Sequence, residues 1–184
     1  SGSIDRPIVF GNNDTPGVVL ASAAKEYMKV YGVLVGKKPI VFTNNDSAYE
    51  TAIEFKKNNI NPIVLDSRQD SNSEIIKEAK SLGIDIKFSH VVVAAKGYKK
   101  VKSCDIAEIS EDKQNLNQIK NIECDCICVS GFWTPTVHLA SQSGGKTKFK
   151  EEIDAFVPDK SKQKEVTLGS ANGVFTLEET LKTS

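Results

Sequence analysis

The stretch from Pro39 to Arg68, PIVFTNNDSAYETAIEFKKNNINPIVLDSR, narrows the fold of this chain more than any other. Ile40, Val41 and Phe42 make a short, unbroken apolar run of the kind buried on both faces of a parallel sheet. Ala48, Ile53 and Phe55 then give an apolar helix face, with Glu50, Glu54, Lys56 and Lys57 turned outward. Asn61-Pro62 breaks the pattern, and Ile63-Val64-Leu65 begins a second strand that ends at Asp66. Strand, turn, helix and strand form a βαβ unit. An acid ending its second strand, about 20 residues past the turn, is where dinucleotide-binding domains hold a ribose hydroxyl. The turn itself reads Thr43-Asn44-Asn45-Asp46-Ser47, without the G-x-G-x-x-G glycines that let a backbone approach a pyrophosphate. The shape of a nucleotide domain is therefore expected without a working nucleotide turn. Asn44, Asn45 and Asp46 are expected to form the turn and cap the helix. Asp66 is a candidate ribose contact, weighed against a strand-end cap or a solvated loop residue. Arg68, two residues on, would favour a 2′-phosphate.

The flanks extend this pattern. Gly11 to Val18 is loop chemistry, and a helix is expected from about Leu20 to Tyr31, with Ala21, Ala24, Tyr27, Met28 and Tyr31 along one side and Gly32 as its stop. After Asp66, Ser71 or Ser73 begins a helix through Leu82 that Gly83 ends, and Ile84 to Phe88 alternates as a third strand. His90–Ala95, Tyr98–Ser103 and Asp105–Ile109 read as an antiparallel meander broken near Lys96-Gly97. Glu111 to Asn121 is polar loop, and Ile122 to Val129 is one strand ending in Ser130-Gly131. Beyond Gly131, Phe132 to Ala140 reads as a turn feeding a short helix, with Pro135 in its first turn. Ser143 to Lys146 is loop, and short strands are expected at Lys148–Glu151 and Ala155–Val157. Val166-Thr167-Leu168 is expected as a strand running through Gly169-Ser170-Ala171-Asn172-Gly173 into a helix from Val174 to Lys182. That second strand, glycine-bearing turn and helix make a better phosphate cradle than the turn at Thr43.

At 184 residues the chain holds one ordinary domain or two small ones. Its 24 basic and 24 acidic side chains balance, so no global field draws nucleic acid or an anionic membrane. No apolar run is long enough to span a bilayer and no secretory leader is seen, so a reducing, cytoplasmic setting is expected. Cys104, Cys124, Cys126 and Cys128 are accordingly expected as free, buried thiols. The alternation at Cys124-Asp125-Cys126-Ile127-Cys128 would put three of them on one face of a strand. No C-x-x-C spacing points to zinc or an iron–sulfur cluster. His90 and His138 lie in unrelated contexts and suggest neither a metal site nor a nucleophile–base pair. Trp133 is either a junction anchor or core, and Lys96, Lys99, Lys100 and Lys102 around Tyr98 read as a solvated hairpin. The opening Ser1-Gly2-Ser3 is expected to be a tag remnant outside the fold. The abrupt close at Leu181 to Ser184 is expected to mark a piece excised from a longer protein.

Four segments together, GNNDTPGVVLASAAKEYMKVYGVLVGKKPIVFTNND, the strand end VLDSR, CVSGFWTPTVHLASQSGGK and LGSANGVFTLEETL, resemble the alpha subunit of heterotetrameric sarcosine oxidase. The resemblance covers nearly all of the chain and is most specific in NNDTPGV, FTNND and SGFWTPTVHLASQSGGK. It implies a module of two dinucleotide-type domains like that of the flavoprotein disulfide reductases, followed by a folate-binding domain. The complex would demethylate sarcosine oxidatively to glycine, pass the one-carbon unit to tetrahydrofolate and release hydrogen peroxide, using FAD, FMN and NAD. NAD would be held by the alpha subunit, chiefly upstream of this chain, and the amine would be oxidised on another subunit.

These readings converge on an α/β chain: a Rossmann-like domain with a parallel sheet and an antiparallel meander over residues 36–130. Residues 4–35 and 131–184 are expected as parts of a first dinucleotide domain. Cofactor contacts are expected at Ser130, Gly131, Gly169, Ser170, Ala171 and Asn172, with Asp66 as the further candidate, and no catalytic residue or metal ligand is expected. The expected partners are the other domains of the alpha subunit, the other subunits of a heterotetramer and tetrahydrofolate bound downstream. Two rivals are an autonomous NAD- or FAD-dependent domain of a related opine or amino-acid dehydrogenase, and a non-catalytic interaction module with an apolar patch exposed around Phe132, Trp133 and Val137.

Overall fold

The computed structural model describes residues 2–112 and 114–183 and divides the chain into two compact units, Pro7–Phe132 and Ser1–Arg6 with Trp133–Ser184. In chain order, the first strand, β1 (Ser3–Asp5), belongs to the smaller unit. The larger unit then runs β2 (Val18–Leu20), α1 (Ala21–Tyr31), β3 (Pro39–Thr43), α2 (Tyr49–Lys57), β4 (Ile63–Asp66), α3 (Glu74–Ser81) and β5 (Asp85–Phe88). It continues with β6 (His90–Lys96), β7 (Ser103–Glu108), β8 (Lys120–Glu123) and β9 (Cys126–Ser130).

Five strands form a parallel sheet in the order β2-β9-β3-β4-β5, with Ile40 of β3 level with Ile63 of β4 and Ile127 of β9. The period-2 alternation of a strand separates two cores. On one face Val41, Val64, Cys126 and Cys128 meet the buried sides of the helices: Ala21, Ala24 and Met28 of α1, Tyr49, Ala52 and Phe55 of α2, and Ile76 and Ala79 of α3. On the other, Ile40, Phe42, Leu65, Ile127 and Val129 meet Val92, Ala95, Cys104 and Ile106 of the antiparallel meander β6-β7-β8, with Phe10 set edge-on to Phe42 at 6.0 Å. Helices on one face and a meander on the other explain why the central strands β3 and β9 are buried at every position. Burying Phe55 completely contributes about 1.5–3 kcal/mol by itself.

The helix stops follow the glycines. Gly32 caps α1 at φ 62°, its N–H donating to the Tyr27 carbonyl, and Gly83 follows α3 at φ 70°. Several expectations change. Residues 7–35, read as a flank of another domain, belong to this unit, because β2 pairs with β9 and α1 packs on α2. Tyr27 and Tyr31 lie against each other in solvent, ring centres 5.9 Å apart and planes tilted by 48°, not on the buried side of α1. Tyr98 to Lys102 is a bend, and the meander resumes at Ser103. The single strand expected at 122–129 is two: β8 ends at Glu123, and Asp125 turns the chain by accepting the backbone N–H groups of Lys37 and Lys38. Cys124 therefore lies in the meander core, while Cys126 and Cys128, 3.6 Å apart at Sγ, lie under the helices. All four thiols are free and buried.

In the smaller unit β10 (Trp133–Pro135) pairs antiparallel with β1, followed by α4 (His138–Gln142), the hairpin β11 (Lys146–Lys150) and β12 (Ala155–Lys160), and α5 (Leu177–Thr183). Gly2 and Ser3, expected outside the fold, are inside it: Ser3 faces Pro135, and the Gly2 carbonyl accepts the Thr136 N–H at 2.9 Å and its hydroxyl at 2.8 Å. Ser1 lies outside the described residues. Pro135 closes β10 instead of opening α4. The strand expected at Val166 to Leu168 is irregular chain, Gly169–Asn172 is a single 3-10 turn, and the last helix begins at Leu177. The strand–turn–helix cradle read there is thus not formed within the described residues.

Candidate functional site

An open parallel sheet takes its ligand beyond the C-terminal ends of its strands, where the strand order reverses. Here that place lies at Thr43 and Ser130, the paired ends of β3 and β9. Asn45 fills it. Its Nδ2 donates to the Ser130 carbonyl at 3.1 Å and to Ser130 Oγ at 3.2 Å, and its Oδ1 accepts from the Ser47 N–H at 3.0 Å and the Ser47 hydroxyl at 2.6 Å. Thr43 Oγ1 accepts the Asn45 N–H at 3.1 Å and lies 3.2 Å from the Ser130 carbonyl. Thr43, Asn45 and Ser130 are all buried, so the volume that glycines would leave for a pyrophosphate is a satisfied polar knot. The expected turn is present, but the helix is capped by the main chain: the Asp46 carbonyl accepts the Tyr49 N–H at 3.1 Å, with no side-chain cap.

Asp66 is fully buried and fully engaged. Tyr49 Oη donates to its Oδ2 at 2.8 Å, the Arg68 main-chain N–H and Nε both donate to Oδ1 at 3.0 Å, and Nη2 donates to Oδ2 at 2.7 Å. The remaining arm of the guanidinium, Nη1, lies 2.7 Å from Oδ1 of Asp46. Burial, then the hydrogen bond to Asp66, pushes the Tyr49 phenol well above its ordinary range. Burial works against the Arg68 charge, but its bonds to Asp66 and Asp46 outweigh it and shift the guanidinium upward. The geometry leaves Asp66 no free lone pair in the cleft for a ribose, so this candidate contact is a structural one.

The smaller unit has a different site. Gly169 at φ 64° and Gly173 at φ 72° bracket the 3-10 turn, with the Ser170 carbonyl accepting the Gly173 N–H at 3.1 Å. A cavity of about 640 Å³ borders this turn, lined by Thr136, Leu139, Ser143, Glu165, Gly169 and Ser170 among others. Ser143 Oγ donates to Glu165 Oε1 at 2.7 Å, whereas Oε2 is buried with no hydrogen-bond partner among the described residues. In the sequence Ser143 reads only as loop, and Glu165 ends a polar run where nothing marks it as a site residue. The structure thus gathers Asp66 and Ser130, next to Gly131, on the larger unit, and Gly169, Ser170, Ala171 and Asn172 on the smaller one. His90 Nδ1 sits 2.7 Å from the Phe88 carbonyl, His138 is exposed, and among the described residues no three metal-ligating side chains converge. Lys96 pairs with Asp105 at 3.0 Å.

No family model matches the chain. It is 35% identical over 185 residues to the sarcosine oxidase subunit alpha of Corynebacterium sp. (strain P-1), covering 100% of this chain and 19% of that protein. Against the same subunit of Corynebacterium sp. (strain U-96) it is 33% identical over 181 residues, 97% of this chain and 18% of that one. The chain therefore spans about a fifth of the length of these relatives. Among solved structures, the thioredoxin reductase of T. acidophilum superposes with a TM-score of 0.71 at 15% identity, over 96% of this chain and 57% of that one. The likeness to sarcosine oxidase alpha subunits thus runs from end to end of the chain, and the α/β fold is like that of a thioredoxin reductase.

Proposed function

We propose that this chain is a stretch of the alpha subunit of a sarcosine oxidase, an oxidoreductase, and that it frames a dinucleotide site without carrying the chemistry. The end-to-end likeness to two such subunits is the observation that carries the reading. In the complex, sarcosine, tetrahydrofolate and dioxygen become glycine, methylenetetrahydrofolate and hydrogen peroxide. The flavins FAD and FMN and the amine site belong to the whole assembly, and the other alpha-subunit domains and the other subunits are this chain's partners, in the cytoplasm.

The larger unit acts as a scaffold in this reading. Its sheet has the form of an inserted nucleotide domain, but Asn45 closes the phosphate turn and Arg68 takes up Asp66. The smaller unit is the returning part of a first dinucleotide domain, and its turn at Gly169–Asn172 is where NAD would be met. The fit is partial: Gly169 brings a left-handed backbone and the adjoining cavity is open, but the turn is one 3-10 turn with no strand leading into it. Chain from outside this sequence would complete the site. The exposed Val166, Leu168, Leu177 and Leu181 beside it offer the apolar surface against which such chain would pack.

Calorimetric titration of the 184-residue chain with NAD, and separately with FAD, tests this assignment. No saturable heat with either is expected. Binding in the micromolar range would overturn it in favour of an autonomous oxidoreductase domain.

A further inference from the structure

The closed cleft of the larger unit is held shut at two points, and the outer one has a particular form. We infer that the Asp46–Arg68 ion pair is an internal latch, in which the chain's own carboxylate occupies the guanidinium arm that would otherwise receive a phosphate group. The geometry of this cleft carries the inference, independently of the family assignment. Arg68 is held in place before Asp46 is considered: Nε and Nη2 grip the two oxygens of Asp66, which is fully buried and fixed by Tyr49. That bidentate grip leaves one guanidinium arm, Nη1, facing away from Asp66, and its partner is Asp46 at 2.7 Å. The Asp66 side chain has no exposure, whereas that of Asp46 is 42% exposed and that of Arg68 28%. The Asp46 oxygen that meets the guanidinium, Oδ1, is itself buried, so an anion from solvent reaches Nη1 only where the Asp46 side chain is removed.

Charge makes the latch selective. With Asp46 in place the cluster carries two carboxylates against one guanidinium, and a phosphate approaching it is repelled. Without Asp46 the Asp66–Arg68 pair is neutral and offers a planar donor suited to a phosphate oxygen. Asn45 holds the segment in register, because its four hydrogen bonds to Ser130 and Ser47 fix the turn from which Asp46 reaches Arg68. A phosphate monoester is the ligand class that the opened site would take.

Thermal unfolding of the wild-type chain, Asp46→Ala, Asp46→Asn and the Asp46→Ala/Arg68→Gln double variant tests the latch. Each is measured with 50 mM inorganic phosphate (an order-of-magnitude choice of about ten times a weak site's Kd) against sodium chloride of equal ionic strength. The wild type is expected to show no phosphate-specific rise. The two single variants are expected to rise by about 2 °C with phosphate beyond the chloride control, and the double variant is expected not to respond. NADP against NAD forms a second arm, in which a larger rise with NADP places a ribose-bound phosphate at Arg68. A phosphate response or an NADP preference in the single variants supports the latch. Its absence from both variants, its persistence in the double variant, or a wild type that already responds overturns it. Asp46→Asn preserves the shape of the turn and keeps the test decisive should Asp46→Ala unfold.

Discussion

The two units of this chain solve the same problem to different degrees. In Pro7–Phe132 both faces of a five-stranded sheet are covered, by three helices on one side and by a meander on the other, and the buried polar groups at its strand ends are mutually satisfied. In the smaller unit the buried apolar side chains among the described residues are Pro135, Ala155, Val157 and Ala171, while Leu139, Phe149, Phe156, Val166, Leu177 and Leu181 stand exposed. A sheet with two covered faces is complete by itself. Two short antiparallel pairs and two short helices are not enough surface to bury their own apolar residues. The larger unit is thus a finished domain whose ligand cleft has been filled by its own side chains. The smaller one keeps an open cavity and exposed apolar side chains.

Four substitutions probe this contrast. Asp66→Ala should cost the most, about 3–5 kcal/mol, because it strands the buried Tyr49 hydroxyl and leaves Arg68 with only Asp46. Urea unfolding followed by far-ultraviolet circular dichroism reads it, and a loss below about 1 kcal/mol would mean that the cleft tolerates an empty centre. Gly173→Ala comes next, at about 1–3 kcal/mol, since the residue sits at φ 72° and an added Cβ would lie 2.8 Å from Ile153 Cδ1 and 2.9 Å from Val157 Cγ1. The sole tryptophan, Trp133, lies in the smaller unit, so its fluorescence should report this change. Tyr49→Phe removes one of the five hydrogen bonds to Asp66 while keeping the ring, and should cost about 1 kcal/mol. Leu177→Ser should shift stability by less than about 0.5 kcal/mol, because the side chain is 75% exposed. A large loss there would show that this face is already buried in solution and would break the contrast between the units.

The βαβ core was legible because its signals are local: an apolar run at Ile40 to Phe42, an amphipathic helix, and Asn61-Pro62 before the second strand, with glycines ending the flanking helices α1 and α3. What escaped notice depended on pairing. Val18 to Leu20 is too short to stand out and becomes a strand only because Val129 and its neighbours lie alongside. Cys124 looked equivalent to Cys126 and Cys128 by alternation, and Asp125 broke the alternation by binding two main-chain N–H groups from a distant loop. Conversely, Val166 to Leu168 has strand composition but, within the described residues, no neighbour to pair with.

The same division holds for the site. The absence of glycine from Thr43 to Ser47 is visible in sequence alone, and with it the expectation of a turn too crowded for a pyrophosphate, because no other residue gives the backbone that approach. Asp66 at a strand end was equally visible. Whether its oxygens would face a ribose or a side chain was decided in three dimensions, when the fold brought Tyr49 from α2 and Arg68 from the following loop onto one carboxylate and set Asp46 on the free arm of the guanidinium. Local sequence specified which groups could hold a ligand; the packing of α2 and β4 determined that they hold each other, because a buried carboxylate must be paired before the domain can close around it.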